Sequence, residues 1–173
     1  MGTELQKKEY HWYALYTRSR AEKKVFTELK LREINAFLPM RTTLRIWSDR
    51  KKKVELPLFN SYVFVNISEK EYLPALQVEG VVRFVSFERK AVPIPPQQIE
   101  AIKAYLDEGA PVYEDSVAEL EAGLNIEITR GPMMGLTGIL LTLHGKHRVK
   151  VEIECVGQSL IIDIPRTSLQ IIK

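Results

Sequence analysis

The side chains best suited to catalysis are too scattered along this chain to form a catalytic or metal site. His144 and His147 make an H-x-x-H pair around a Gly-Lys turn. A catalytic zinc takes three protein ligands, and no third ligand is near in sequence. The single cysteine, Cys155, alternates with apolar residues, which favours a buried thiol over a nucleophile. The pattern therefore predicts a solvated turn for the histidines and no metal.

Acidic residues give no better case for an enzyme. A hydrolase or nuclease that uses dispersed carboxylates such as Asp107 and Glu108 needs phosphate-binding glycines or metal ligands beside them, and the sequence shows neither. It also lacks a glycine-rich phosphate loop, a G-x-S-x-G elbow and an H-E-x-x-H helix. We expect a protein that is not an enzyme and that needs no cofactor.

Aromatic side chains form the most informative group. Side chains alternate across a strand, so Tyr16 lies on the same face of its predicted strand as Trp12, and Tyr62 shares a face with Phe64, with Phe59 just before. Either these rings lie in the core, or they form an apolar patch for a partner on a sheet face that no helix covers. The aliphatic residues of the opposite face suit burial better.

Basic residues concentrate where the first predicted strand turns into a helix. Arg18, Arg20 and Lys24 lie at this corner, and Arg32 follows at the helix end. Residues 1–60 carry 14 Lys/Arg against 7 Asp/Glu, residues 61–123 carry 5 against 11, and residues 124–173 carry 6 against 4. This split favours a one-sided contact with a polyanion, although an ordinary solvated helix face also fits. The run Arg50–Lys53 is either a solubilising tip or a second backbone contact.

The elements that position these residues follow a β-α-β-β-β-α-β-α order. Strands are predicted at Trp12–Thr17 and Tyr62–Val65, and an amphipathic helix is predicted from Ala21 to Ile34, with Ser19 as its N-cap and Glu22 completing a capping box. Ser48–Lys53 is predicted to be a loop or hairpin tip. The order predicts an α+β fold in which an antiparallel sheet carries helices on one face.

After residue 123 the hydrophobic pattern has period two. Five short runs from Leu124 to Ile172, separated by glycine turns, predict a small all-β barrel. Residues 107–122 are acidic and are predicted to be a linker. The predicted domains are residues 1–106 and 123–173. The chain has 173 residues, a polar N-terminus and no run of about 18 apolar residues. We therefore expect a cytoplasmic protein without a membrane contact.

On these motifs the sequence resembles the NusG family of transcription elongation factors, and within it the specialised RfaH/UpxY type. The N-terminal resemblance includes the segments WYALYT, AFLPM, ELPLFNSYVFV, EGVVRFV and PIPPQQIEAI. The C-terminal resemblance is a KOW motif, LNIEITRGPMMGLTGIL, from Leu124 to Leu140. The resemblance as a whole implies an NGN-type N-terminal domain and an SH3-like KOW barrel. The KOW motif residues would be Gly131, Pro132, Gly135 and Gly138.

The resemblance also implies partners. In the family, the N-terminal domain lies on the clamp helices of the RNA polymerase β′ subunit and reaches toward the β subunit. By motif position the lining residues here are Tyr16, Phe59, Tyr62 and Phe64, and this moves our interpretation from core to partner surface. The protein would suppress pausing or termination, and for UpxY-like factors the setting is capsular or exopolysaccharide operons.

Specialised members of the family read the non-template DNA strand, and the matching positions here are Arg18, Arg20, Lys24 and Arg32. Glu79 departs from the pattern, because a basic residue there would help DNA binding. The KOW domain would recruit a ribosomal protein or Rho. Interior glycines disfavour a helical form, so we predict a constitutive barrel. The alternative interpretation is an RNA-binding or ribosome-associated KOW protein.

Overall fold

The computed structural model describes residues 9–46, 51–107, 124–131, 133–143, 146–153, 158–163 and 168–172. The strands and helices, in chain order, are β1 His11–Thr17, α1 Glu22–Leu31, β2 Asn35–Phe37, β3 Met40–Ile46, β4 Lys51–Pro57, β5 Tyr62–Ile67, α2 Glu69–Leu76, β6 Val81–Phe84, β7 Ser86–Phe87, β8 Lys90–Ala91, α3 Pro96–Asp107, β9 Asn125–Ile128, β10 Thr137–Leu143, β11 Lys146–Ile153, β12 Gln158–Asp163 and β13 Leu169–Ile171.

The chain forms two compact units. The first comprises Met1–Met40 and Pro57–Pro96, and the second comprises Arg41–Leu56 and Gln97–Lys173. Most of the predicted linker, residues 107–122, lies outside the described residues, so the division at this segment stays a prediction. The α+β class with antiparallel sheets is confirmed.

A four-stranded antiparallel sheet organises the first unit, in the order β2-β5-β1-β6. β1 pairs with β5 from His11 to Tyr16, and Tyr16 lies opposite Tyr62. Alternation of apolar side chains places Leu15, Val63 and Val65 on one face of this sheet. All three are buried, so the register agrees with the hydrophobic pattern.

Helices α1 and α2 cover that aliphatic face. Val25 and Leu29 lie four residues apart on one stripe of α1 and are fully buried, as is Ala75 of α2. They share one cluster with the aliphatic residues of the sheet and with Phe84 of β6. The expectation of helices on one face is therefore confirmed for α1 and α2.

The predicted start of α1 is wrong. The helix begins at Glu22 with Ala21 as its N-cap, and no side chain caps it. Ser19 lies in the preceding turn, so it is too far from the helix to satisfy the first N–H groups. The capping box is found at α2 instead, where the backbone N–H of Ser68 donates to Glu71 Oε2 over 2.9 Å.

Two hairpins differ from the sequence prediction. Lys51–Lys53 are exposed residues of β4 rather than part of a loop, because a two-stranded β3–β4 pair accepts alternating polar side chains on both faces. Residues 47–50 lie outside the described residues. The second difference is a short hairpin, β7–β8, that the sequence analysis did not predict.

The described residues of the second unit include a five-stranded antiparallel sheet in the order β12-β11-β10-β9-β13. β10 and β11 pair up to Leu143 and Lys146, around the predicted histidine turn. The five strands are confirmed, whereas closure into a KOW barrel stays a prediction. Among the described residues, no helix has the length and apolar character needed to cross a membrane.

Candidate functional site

The predicted aromatic residues share the sheet face that is turned away from α1 and α2. Residues directly opposite each other in an antiparallel pair lie on the same face. Tyr16 is opposite Tyr62, and Ala14 is opposite Phe64, whereas Leu15 and Val63 belong to the helix-covered face. The predicted separation of aromatic and aliphatic faces is therefore confirmed.

Only part of this face is accessible. Phe64 is 0% exposed and Phe59 is 2% exposed, so the expectation that these two rings form an open surface is wrong. The rings of Phe59 and Phe64 pack edge to face, with their centres 5.9 Å apart. Phe37 covers Phe64 from another side, with a distance of 6.2 Å between the ring centres. Ring-on-ring packing of this kind is favourable, and it seals the centre of the face.

Tyr16 and Tyr62 remain partly exposed at the end of the same face. Their rings are 5.5 Å apart in an edge-to-face arrangement. We call this pair the tyrosine pair. It offers apolar ring surface with hydroxyl groups, a composition that is enriched at protein interfaces.

Arg83 lies beside the tyrosine pair and is not among the predicted site residues. It lies opposite Tyr16 in the β1–β6 register, and its guanidinium lies 5.5 Å from the centre of the Tyr16 ring. This is within the range of a cation–π contact. The V-V-R-F run after Gly80 could have indicated an outward-facing cation, but only the strand pairing shows which ring it meets.

The turn before Tyr62 is held by the start of α1. Ser61 has a positive φ of 64°, and its carbonyl accepts the N–H of Thr17 over 2.8 Å. Its own N–H donates to Glu22 Oε1 over 2.6 Å. Glu22 is buried, so a carboxylate that was predicted to cap α1 instead fixes the turn that positions the tyrosine pair.

The predicted nucleic-acid residues divide into two groups. Lys24 Nζ lies 2.9 Å from a Glu79 carboxylate oxygen, and Arg32 lies 3.3 Å from both Glu28 Oε1 and the Pro74 carbonyl. Within the described part of the chain, Arg18 and Arg20 take no part in any ion pair, and both are exposed. We call these two residues the basic corner.

Glu79 acts on this corner electrostatically. The hydrogen bond and charge of Lys24, with a smaller effect of Arg18, lower the pKa of Glu79 below its ordinary value of 4.5. A carboxylate therefore stands among the cations at neutral pH. The expectation that a basic residue at this position would help DNA binding stays a prediction.

Gly80 determines the backbone position of the corner. Its carbonyl accepts the N–H of Arg18 over 2.8 Å, and its φ of +101° suits glycine. A Cβ here would lie 3.0 Å from Val25 Cγ2 and 3.2 Å from Ala21 Cβ. The close approach of this turn to α1 thus depends on a residue without a side chain.

The predicted KOW motif residues surround the β9–β10 turn. Gly131 and Gly135 both have positive φ. The N–H of Gly135 donates a hydrogen bond to the backbone carbonyl of Ile128 over 2.8 Å. Gly138 lies in β10 opposite Val151 and Ile126. Pro132 lies outside the described residues. Met133 is buried at this turn, and Met134 is exposed.

Residues of catalytic type are not brought together in the part of the chain that the structure describes. No group of three or more His, Cys, Asp or Glu there could hold a metal ion. His144 and Cys155 lie outside the described residues, and His147 is described only as part of β11.

Comparison with known proteins identifies relatives that match most of the chain. The family model described as "NusG: Transcription termination factor nusG" matches residues 10–103. Relatives named transcription termination/antitermination protein NusG include that of Halalkalibacterium halodurans, 22% identical over 94% of this chain and 98% of the relative. The Rickettsia felis protein is 24% identical over 92% and 88%. A solved structure of Thermotoga maritima NusG has a TM-score of 0.59 at 20% identity and covers 95% of this chain and 98% of that one.

Proposed function

The chain belongs to the NusG family of transcription termination/antitermination factors, and we propose that it binds RNA polymerase on the clamp helices of the β′ subunit. The observation that carries this proposal is the tyrosine pair with Arg83, on a sheet face opposite the helices. Tyrosine and arginine dominate the binding energy of many protein interfaces. An apolar ring surface with one cation suits a helix that presents both apolar and acidic side chains.

Phe59 and Phe64 take a supporting role in this proposal. Both are buried, so they position Tyr62 and keep the face flat rather than contact the polymerase. The binding surface is therefore narrower than the resemblance alone implied. A contact of the same factor with the β subunit remains part of the proposal.

The proposed effect on transcription is a population shift. Binding energy that is available only when the polymerase clamp is closed lowers the occupancy of the open, paused state. Pausing and termination both decline for this reason, without any chemical step by the factor. We propose the specialised RfaH/UpxY type of activity, at capsular or exopolysaccharide operons in the cytoplasm.

The basic corner is proposed to contact the non-template DNA strand. Arg18 and Arg20 are exposed and can each neutralise a phosphate. Lys24 and Arg32 already have acidic neighbours, so we assign them a smaller contribution. Sequence reading is expected to be modest because arginine–phosphate contacts carry no base information.

The proposed division of labour has three parts. Residues 1–106 form the polymerase-binding NGN domain, residues 107–122 are the acidic linker, and residues 123–173 form the KOW domain. The motif residues Gly131, Pro132, Gly135 and Gly138 shape its first turn, and the domain recruits a ribosomal protein or Rho. The sheet seen in the described part of this segment supports a constitutive β form.

Copurification of tagged protein with core RNA polymerase tests this function. We expect Tyr16→Ala and Tyr62→Ala each to lower polymerase recovery at least fivefold while the protein stays folded by circular dichroism. Tyr62→Phe keeps the ring and should bind nearly as well as the unchanged protein. Tyr10→Ala is the matched control, since Tyr10 is 48% exposed and lies outside the tyrosine pair.

Two outcomes would contradict the proposal. If the unchanged protein recovers ribosomes but no polymerase, it is an RNA-binding or ribosome-associated KOW protein. If both tyrosine variants recover polymerase as well as Tyr10→Ala does, the polymerase is bound elsewhere on the chain.

A further inference from the structure

The β7–β8 hairpin displays an aromatic ring that is largely exposed to solvent. Phe87 is 72% exposed, and no other ring packs against it among the described residues. Burial of such a ring is worth a few kcal/mol to a folded protein. An exposed phenylalanine at a hairpin tip is therefore more consistent with a binding role than with stability.

A cation shares the face of this ring. Phe87 lies directly opposite Lys90 in the hairpin register, and directly opposed residues have side chains on the same face at close distance. The two central residues of the turn, Glu88 and Arg89, have positive φ of 48° and 65°. This is the geometry of a tight type I′ turn, which fixes Phe87 relative to Lys90.

A ring and a cationic residue on the same face of a hairpin match a nucleotide of a single strand. Bases stack on exposed aromatic rings, while basic side chains follow the phosphates. In duplex DNA the bases are already stacked on one another, so no base is free to stack on the ring. The cores of protein interfaces are poor in charge, and this ring stands among Glu88, Arg89 and Lys90, all exposed. The surroundings thus favour nucleic acid over a protein partner.

The hairpin follows β6, the edge strand of the four-stranded sheet, and β6 begins beside the basic corner. The Gly80 carbonyl binds the N–H of Arg18, β6 follows, and Phe87 comes seven residues after Gly80. At about 3.3 Å per residue, this path is up to about 23 Å long. One strand of nucleic acid could therefore contact both ends.

We propose that the β7–β8 hairpin binds single-stranded DNA, with one base stacked on Phe87 and a phosphate beside Lys90. The choice of DNA rests on the proposed function, which assigns the other end of this edge to the non-template strand. The stacking site itself is independent of that assignment, because it requires only the ring and the cation.

Fluorescence anisotropy with a labelled 15-nucleotide oligo-dT tests the proposal on the full-length protein. Stacking of one base is worth about 1–3 kcal/mol, so Phe87→Ala should weaken binding by about 5- to 150-fold. Phe87→Tyr keeps the ring and should restore affinity. Lys90→Gln should reduce the salt slope of log K by about 0.7. Lys70→Gln is the matched control, since Lys70 is exposed on α2.

The basic-corner variant Arg20→Gln separates this inference from the proposed function. If Phe87→Ala weakens binding and Arg20→Gln does not, the hairpin site stands and the corner assignment fails. If Arg20→Gln weakens binding while Phe87→Ala binds like the unchanged protein, the hairpin proposal is overturned. Equal affinity for a 15-base-pair duplex, or tighter binding of oligo-U than of oligo-dT, would also overturn it.

Discussion

The carboxylate of Glu22 accepts a hydrogen bond of 2.6 Å from the backbone N–H of Ser61. Glu22 lies in the first turn of α1, beside the basic corner, and Ser61 directly precedes Tyr62. One buried side chain thus connects the two surfaces to which we assign DNA and polymerase binding. A change in backbone position at one surface can therefore reach the other through this single hydrogen bond.

Replacing Glu22 tests how much this connection contributes. A hydrogen bond to a charged group contributes about 1.5–3 kcal/mol, so we expect Glu22→Ala to lower the free energy of unfolding by that amount in urea titration. The control is Glu28→Gln, which breaks the half-exposed Glu28–Arg32 pair and should cost only about 0.3–0.5 kcal/mol. Equal losses of unfolding free energy for the two variants would show that the Ser61 hydrogen bond contributes no more than an exposed ion pair.

Phe64 and Tyr62 should respond differently to truncation. Phe64 is completely buried, and a buried phenylalanine-to-alanine change costs about 3–5 kcal/mol. We expect Phe64→Ala to reduce the midpoint of urea unfolding strongly, whereas Tyr62→Ala, at a half-buried position, should reduce it less. A Phe64→Ala protein of normal stability that no longer recovers polymerase would return Phe64 to the contact surface.

The sequence predicted the sides of the sheet correctly but not the depth of burial. Period-two alternation places Tyr16 and Leu15 on opposite faces whatever lies above them, so this could be read from residue types. The burial of Phe64 depends on Phe59 and Phe37, which reach it from a turn and from another strand. Such contacts between distant segments leave no local pattern.

The hydrogen-bond partners of polar side chains also could not be predicted from the sequence. A serine followed three residues later by a glutamate occurs at both Ser19 and Ser68, and only the second is found as a helix cap. Glu22 has a stronger acceptor role at Ser61, and this competing partner lies 39 residues away in sequence. The β7–β8 hairpin was missed because its turn, Glu88-Arg89, contains no glycine or asparagine.

Gly80 should tolerate no side chain. A positive φ costs a residue with a Cβ about 1–2 kcal/mol, and the 3.0 Å approach to Val25 Cγ2 adds an overpacking cost of about 1–3 kcal/mol. We expect Gly80→Ala to lose stability by both effects in thermal unfolding. Gly131→Ala is the control, because its φ is also positive but nothing lies within 4 Å of its added Cβ. Similar losses would show that the packing against α1 relaxes freely.

Glu79 should restrain DNA binding at the basic corner. Its pKa lies below 4.5 because Lys24 and Arg18 stabilise the carboxylate, so the carboxylate is charged at neutral pH and its pairing is lost only as the pH falls through the lowered pKa. Glu79→Gln removes this charge and releases Lys24. We expect the variant to bind oligo-dT more tightly at pH 7, with a salt slope steeper by about 0.7.

The same variant gives a pH signature. A carboxylate with a lowered pKa stabilises the folded state above its ordinary pKa of 4.5, and this contribution disappears at lower pH. Because the Lys24–Glu79 pair is exposed, this contribution is small, and the slight difference in melting temperature between Glu79→Gln and the unchanged protein should vanish as the pH falls from 7 to 3. Glu88→Gln is the control, since Glu88 lies on the exposed β7–β8 turn. Unchanged DNA affinity in Glu79→Gln would mean that Lys24 contributes nothing to DNA binding, even when it is released from its acidic neighbour.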